Sequence, residues 1–460
     1  MLIIQDRVIK CPVLFYSLAM KKNYIYFILL FSFFAFSLLI VRYRKPEVTY
    51  ELQMRQGMLA SSSEWINTKA AIDGLIYKVR TNPSDKRSIL ALGMAYIQES
   101  RISGNHSYYD NAALNLFEKI LKDEPENFEA LIGKATILLS QHHFTDALPI
   151  AELAKKVSPH SASVYGLLTD VYVETGNYEK AIEMADKMTA TRPDIRSYSR
   201  ISYLREIFGD YKGAIDAMKM AVDAGYPGME QTEWCRQQLG HLYENTGDLK
   251  NAEFCYNQSI YFRPSFSWAY AGKARIAKAK GNYIQAIEFL KQAQGLLKDF
   301  SFQQELTELY RITNQPMKAS VSARETIALL GGLQGNESEK NHGHYADKEL
   351  AYACLDSYDY MDAHKHALIE YNRRPDNIET NQALAWVNFK LGNYEIANKY
   401  IDVALRTHSK NPILNYQAGL IKNNAGKKVE GNKLIKESLA LNPYISPMLR
   451  WESKELIASK

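Results

Sequence analysis

Residues 147–159 read ALPIAELAKKVSP and residues 181–193 read AIEMADKMTATRP. Ala147, Ala151, Ala154 and Pro159 are answered, about 34 places on, by Ala181, Ala185, Met188 and Pro193. The first three of each set share one stripe of a helix, and the proline falls just past its end. The cadence extends both ways, as Ala71, Leu75, Lys78, Pro83 and as Ala113, Phe117, Ile120, Pro125. It returns as Ala252, Tyr256, Ser259, Pro264 and as Ala363, Ala367, Glu370, Pro375. A period of this length, built from two helices, describes a solenoid in which each unit buries its apolar face only against its neighbours.

The first half of each unit carries a matching signal. Leu239-Gly240 and Tyr243 precede Ala252, with Gly247-Asp248 in the turn between them; Tyr165, Leu168, Tyr172 and Gly176-Asn177-Tyr178 precede Ala181 in the same way. Small residues let the two helices of a hairpin approach, and bulky ones fill the space between hairpins. Gly176, Gly247, Gly281, Gly392 and Gly426 all fall at the helix-ending turn, where glycine takes the left-handed conformation at least cost. The pattern resembles the tetratricopeptide repeat family over roughly residues 66 to 443, in about ten units. The stretch from Tyr345 to Pro447 is similar to the C-terminal part of bacterial multi-repeat proteins, some of them single-pass membrane proteins. The expected fold is an all-α solenoid, or superhelix, of about ten helix-turn-helix units.

The units are not uniform. The one from Tyr198 to Ala221 is a residue short before Gly209, the one around Leu306 and Ala319 turns at Asn314-Gln315-Pro316, and the last has Gly431 at its small position. Arg101 to Ser107 is an insertion expected to lengthen the first hairpin loop. A Gly-rich stretch at 331–344 reads as an exposed loop or hinge between an N-terminal block, 46–330, and a C-terminal block, 345–445, followed by a capping helix at 446–460.

Tyr24 to Val41 reads YIYFILLFSFFAFSLLIV, without a charge and flanked by Lys21-Lys22 and by Arg42, Arg44 and Lys45. As a helix it is roughly 27 Å long, enough to cross a bilayer. The preferred reading of residues 20–45 is an uncleaved transmembrane anchor; a cleaved signal is the competitor, without an A-x-A-like site to support it. Met20-Lys21-Lys22 looks like a bacterial start, and residues 1–19 read as a tail or an over-extended start. Both flanks are basic, so orientation is weakly determined, with a lean towards repeats outside the cytoplasmic membrane.

Nothing in the chain spells catalysis. There is no G-x-S-x-G, no HExxH and no phosphate loop, and Cys11, Cys235, Cys255 and Cys354 form no zinc spacing. Cys235 and Cys255 lie on the two helices of one hairpin, so they are either a disulfide in an exported chain or two small apolar residues. The histidines His142-His143, His342, His344, His364 and His366 lack a carboxylate or thiol at ligand spacing. The expectation is a non-enzyme with no cofactor and no metal. A net charge of +5, with basic and acidic residues interspersed, gives no nucleic-acid stripe.

The family's geometry implies a concave groove lined by the first helix of each pair. Residues placed there are Asp170, Tyr203, Trp234, His241, Trp268, Arg275, Lys278, Tyr352, Trp386, Phe389 and Tyr416. Exposed Trp and Tyr make good anchors for a bound peptide, Arg275 and Lys278 would receive an acidic terminus, and packing between repeats is the competing role for each. The implied function is a membrane-anchored adaptor that binds a protein or peptide partner. The alternatives are an exported soluble binding protein for an extended polymer such as polysaccharide, an accessory subunit of an enzyme complex, or self-association through the groove.

Overall fold

Gly176-Asn177-Tyr178 shows how each hairpin is turned. Gly176 is left-handed at φ 82°, the Asn177 side chain accepts a hydrogen bond from the Lys180 N–H and caps the next helix, and Tyr178 is buried behind the turn. The other expected turn glycines, Gly247, Gly281, Gly392 and Gly426, have φ between 73° and 82°. His142, Asn314 and Tyr358 stand in the same place in other hairpins and take the same conformation at φ 61°, 54° and 60°.

The computed structural model describes residues 24–37, 50–333 and 343–451. The chain falls into two units, Met1–Glu51 and Leu52–Lys460. In the first unit, residues 24–37 form helix α1. No helix among the described residues is long and apolar enough to cross a membrane. The expected span from Tyr24 to Val41 runs past this helix into 38–41, which, with 1–23 and Cys11, lies outside the described residues.

The second unit is all helical among its described residues. It begins with α2 (Gly57–Ala60) and α3 (Ser63–Thr81). Ten hairpins follow, each an inner helix and an outer one: α4 (Lys86–Ser103) and α5 (His106–Asp123), α6 (Phe128–Ser140) and α7 (Phe144–Val157), α8 (Ala162–Glu174) and α9 (Tyr178–Thr191), α10 (Ile195–Ile207) and α11 (Tyr211–Asp223), and α12 (Glu230–Asn245) and α13 (Leu249–Phe262). The array continues with α14 (Ser267–Ala279) and α15 (Tyr283–Leu296), α16 (Phe300–Ile312) and α17 (Pro316–Leu333), α18 (Asp347–Asp356) and α19 (Tyr360–Arg373), α20 (Ile378–Lys390) and α21 (Tyr394–Ala404), and α22 (Pro412–Asn424) and α23 (Lys428–Leu441). Residues 447–451 open a last helix, α24; the rest of the expected cap lies outside the described residues.

Each outer helix packs on its own inner helix and on the next one. The stripe read from the sequence is the core of this packing, with Ala147, Ala151, Ala154, Ala181, Ala252 and Ala363 all fully buried. The first unit departs from it. In α3, Ile72 and Ile76 are buried while Ala71 and Lys78 are exposed, because α3 is a solitary helix that meets α4 without a full-length partner before it. The insertion at Arg101–Ser107 does not make a longer loop. It adds a turn to α4 and leaves only Gly104 and Asn105 as the connection. Cys235 and Cys255 are free and buried in one apolar cluster. Across the 331–344 insertion, whose residues 334–342 are outside the described set, α18 packs on α17 and α16, so the stacking continues.

The solenoid winds tightly enough to touch itself. The start of α3 and the turns inside the early hairpins meet the loops between the later ones, most often at a sequence separation close to 200. Arg263 reaches the Glu64 carboxylate at 2.7 Å, a separation of 199. His143 Nε2 lies 2.6 Å from the Gly343 carbonyl, a separation of 200, and the Tyr345 N–H donates to the Gln141 carbonyl at 2.9 Å. Arg374 binds the Glu174 carboxylate at 2.6 Å, again 200 apart, while Asn377 donates to the Glu174 carbonyl at 3.1 Å. Further on, Arg406 donates to the Gly176 carbonyl at 2.6 Å, Gly209 abuts His408 and Lys410, and Gly247 abuts Leu441 and Pro443. At about 34 residues per unit, one turn of the superhelix is roughly six repeats. The later repeats form a second turn seated on the first.

Candidate functional site: the inner face of the coil

The inner helices carry charges that pair from one repeat to the next. Arg200 on α10 grips Asp170 on α8 at 2.5 Å. Arg275 on α14 lies between Glu244 on α12, at 2.8 Å, and Glu305 on α16, at 3.2 Å. Lys278 binds Glu308 at 2.6 Å, Arg311 binds Asp356 at 3.0 Å and Lys348 binds Glu379 at 2.6 Å. A sequence separation of 30 or 31 between opposite charges is the signal for every rung but Arg311–Asp356, which spans the 331–344 insertion at 45, because it joins equivalent faces of adjacent inner helices. Reading the cations alone missed it. Arg275 and Lys278 are therefore already engaged, and receiving an acidic terminus would cost them their carboxylate partners.

The electrostatics follow from this pairing. Burial pushes the Glu244 carboxyl up, but the Arg275 guanidinium and His241 outweigh it and hold its pKa down at about 2. The Lys348 ammonium, working against burial, likewise depresses Glu379. Glu174 goes the other way, raised by burial and then by the neighbouring Glu379 carboxylate. The Tyr203 hydroxyl lies 3.4 Å from Glu379, so α10 and α20 face one another across the interior.

The structure sorts the eleven residues expected in the groove. Tyr203 and Trp234 keep 39 and 37% of their surface exposed, and the side chain of the half-buried His241 keeps 42% of its own. Trp234 and His241 are two helical turns apart on α12 and so share a face. Trp268, at the start of α14, is half-buried edge-on against Phe302, with ring centroids 4.8 Å apart. Asp170, Arg275 and Lys278 belong to the ion ladder. Tyr352 is partly buried against the apolar cluster of the last repeats. Trp386, Phe389 and Tyr416 do not line an open groove: all three are at most 6% exposed. Trp386 stacks on Phe389 at 4.9 Å, in a cluster with Tyr416, Leu420 and Ile445. The chain covers this wall with its own end, where Ile445 and Leu449 pack into the cluster and the Ser446 hydroxyl donates to Glu308 on α16.

Among the described residues no group of three or more His, Cys, Asp or Glu side chains could hold a metal ion. His142 and His344 face each other with ring centroids 4.1 Å apart, where the first turn of the coil meets the second. His366 is committed to Asp347 at 2.6 Å, and His342 is outside the described residues.

A tetratricopeptide repeat family model matches residues 138–205, and a second one matches residues 235–266 and 269–296. The chain therefore carries tetratricopeptide repeats, within the α6–α10 and α12–α15 stretches. Among solved structures it is similar to a thermophilic tetratricopeptide repeat protein of Thermus thermophilus, at 22% identity over 39% of this chain and 92% of that one, with a TM-score of 0.35. It is similar to a tetratricopeptide repeat protein of Parabacteroides merdae, at 16% identity over 54% of this chain and 93% of that one, with a TM-score of 0.41. It is also similar to human IFIT1, solved as a dimer with PPP-AAAA, at 17% identity over 75% of this chain and 79% of that one, with a TM-score of 0.47.

Proposed function

We propose that this protein is a non-enzymatic scaffold that holds a protein or peptide partner on the inner face of its first superhelical turn. The observation that carries the reading is the set of accessible rings on α10 and α12. Tyr203, Trp234 and His241 keep their surface while the charges around them are paired and the rings of the last repeats are buried. Aromatic side chains of this kind supply contact area at little cost in side-chain entropy. The paired ladder gives the partner a rigid wall to dock on. Trp386 is no longer a place to look; Trp234 is.

A photoreactive residue at position 234 in the full chain, crosslinked in cells, is expected to capture one dominant protein. Trp234→Ala should lose that partner with an unchanged melting curve, since the side chain is exposed. Capture of glycan alone, or loss of folding in the variant, would overturn the reading.

We further place the scaffold at a bacterial cytoplasmic membrane. Support comes from the uncharged stretch Tyr24–Val41 between basic flanks. A tether of this kind raises the local concentration of whatever the coil binds. The full chain should stay with the membrane pellet through an alkaline wash, and its release by osmotic shock would instead favour an exported soluble protein.

A further inference from the structure

Among the described residues, the seam between the two turns of the coil leaves two edges without a mate. Inside the hairpins of the first turn, Gly209 and Gly247 lie against the backbone or side chains of residues 408–410 and 441–443, so that an added Cβ would meet His408 O at 2.9 Å and Leu441 O at 3.1 Å. Inside the hairpins of the second turn, a Cβ at Gly281, Gly392 or Gly426 would meet nothing within 4 Å. These open turns belong to the five hairpins from α14–α15 to α22–α23. The five loops that precede the inner helices of the first turn, at 82–85, 124–127, 158–161, 192–194 and 224–229, are open as well, with Pro83, Pro125, Pro159, Pro193 and Pro227 all exposed.

We propose that these edges mate with each other between molecules, so that a second copy of this chain continues the coil head to tail. The established seam sets the register. It seats a loop on a turn about 200 residues earlier in the chain, and carrying it past the last repeat brings the copy's five open loops onto the five open turns in order. That register is chemically matched. Loop 124–127 exposes Glu126 and falls against the turn that leads to Met317 and the exposed Lys318. Loop 224–229 exposes Tyr226 (82%) and Met229, and falls against the turn that leads to Val429 (89% exposed).

The composition of the two edges differs in the way such mating requires. The second residue of the outer helix is Thr145, Glu179, Lys212 or Lys250 where the turn is already covered. Where the turn is open it is Ile284, Met317, Met361 or Val429, all exposed, with Glu395 on α21 as the departure. Apolar side chains that recur along one edge, rather than singly over the surface, mark an interaction surface. Because the two mating surfaces are different, the contact is heterologous and does not close at a dimer. The inference is independent of what the inner face binds.

Sedimentation velocity of the full chain in mild detergent tests it. The wild-type chain should pass beyond dimer as concentration rises. Tyr226→Glu with Met229→Glu blocks the loop edge, and Met317→Glu with Val429→Glu blocks the turn edge. All four side chains are exposed, so each double variant should keep the wild-type circular dichroism and run as a monomer. Mixed together, the two variants still hold one intact edge of each kind and should form a single heterodimer and stop there. A wild-type chain that stays monomeric, variants that associate as the wild type does through their common N-terminus, or a mixture that forms no dimer would each overturn the proposal.

Discussion

Tyr256 shows what one side chain does in this array. It is fully buried, and its ring fills the space that Gly240 on α12 and Gly272 on α14 leave open, where an added Cβ would lie 2.6 and 2.5 Å from the ring. Its hydroxyl then donates to Glu244 at 2.6 Å, so the core and the ladder on the inner face share an atom. Arg374 plays the corresponding part at the seam. Buried between Glu370, at 2.5 Å, and Glu174, at 2.6 Å, it ties the second turn to the first. Arg374→Ala would leave the buried Glu370 carboxylate without this partner and is expected to destabilise the folded chain by about 3–5 kcal/mol, measured by urea unfolding. The same scale shows the limit of reading residues from spacing. Trp234 and Trp386 both occupy the face of an inner helix that spacing assigns to the groove, yet one is exposed and the other buried. What separates them is which part of the chain lies opposite, and local periodicity carries no information on that.

The turn between α6 and α7 is the element that latches the second superhelical turn to the first. The His142 Nδ1–H donates to the Tyr345 carbonyl at 3.1 Å, and the His143 ring stacks on Tyr345 with centroids 3.7 Å apart. Burial holds both His142 and His344 down to about 3, against an ordinary value near 6.5. Lys348 and Arg374 beside His142, and His142 and His106 beside His344, push in the same direction; Glu379, Glu349 and Asp110 oppose it. The folded pKa lies below the unfolded one, so the stability of this latch is full above about pH 6.5. It is lost as pH falls towards 3, because the unfolded chain takes up protons that the folded seam refuses. At pH 5 the loss should be about 1–2 kcal/mol for each histidine. Thermal melts between about pH 7 and 4.5 should show it, and His344→Gln should flatten the slope; an equal slope in the variant would count against this origin.

Over the whole molecule the seam changes the kind of solid the array is. In an open solenoid each repeat touches only its neighbours, and stability is a sum of nearest-neighbour terms. Here repeats about 200 residues apart are also joined, so the hairpins α8–α11 and α18–α23 should protect their amides from hydrogen exchange as one block, and Arg374→Ala should release the later hairpins first. The beat of about 34 residues determined the helices, their pairing into hairpins, the turn glycines and the buried alanine stripe, because each depends on contacts inside one repeat or between adjacent ones. The winding of the coil depends on a small rotation at every repeat interface, summed over roughly six of them, and no single repeat encodes the sum. Only the tertiary structure could decide that the second turn lands on the first, that the chain's own end covers Trp386, and that two edges are left open.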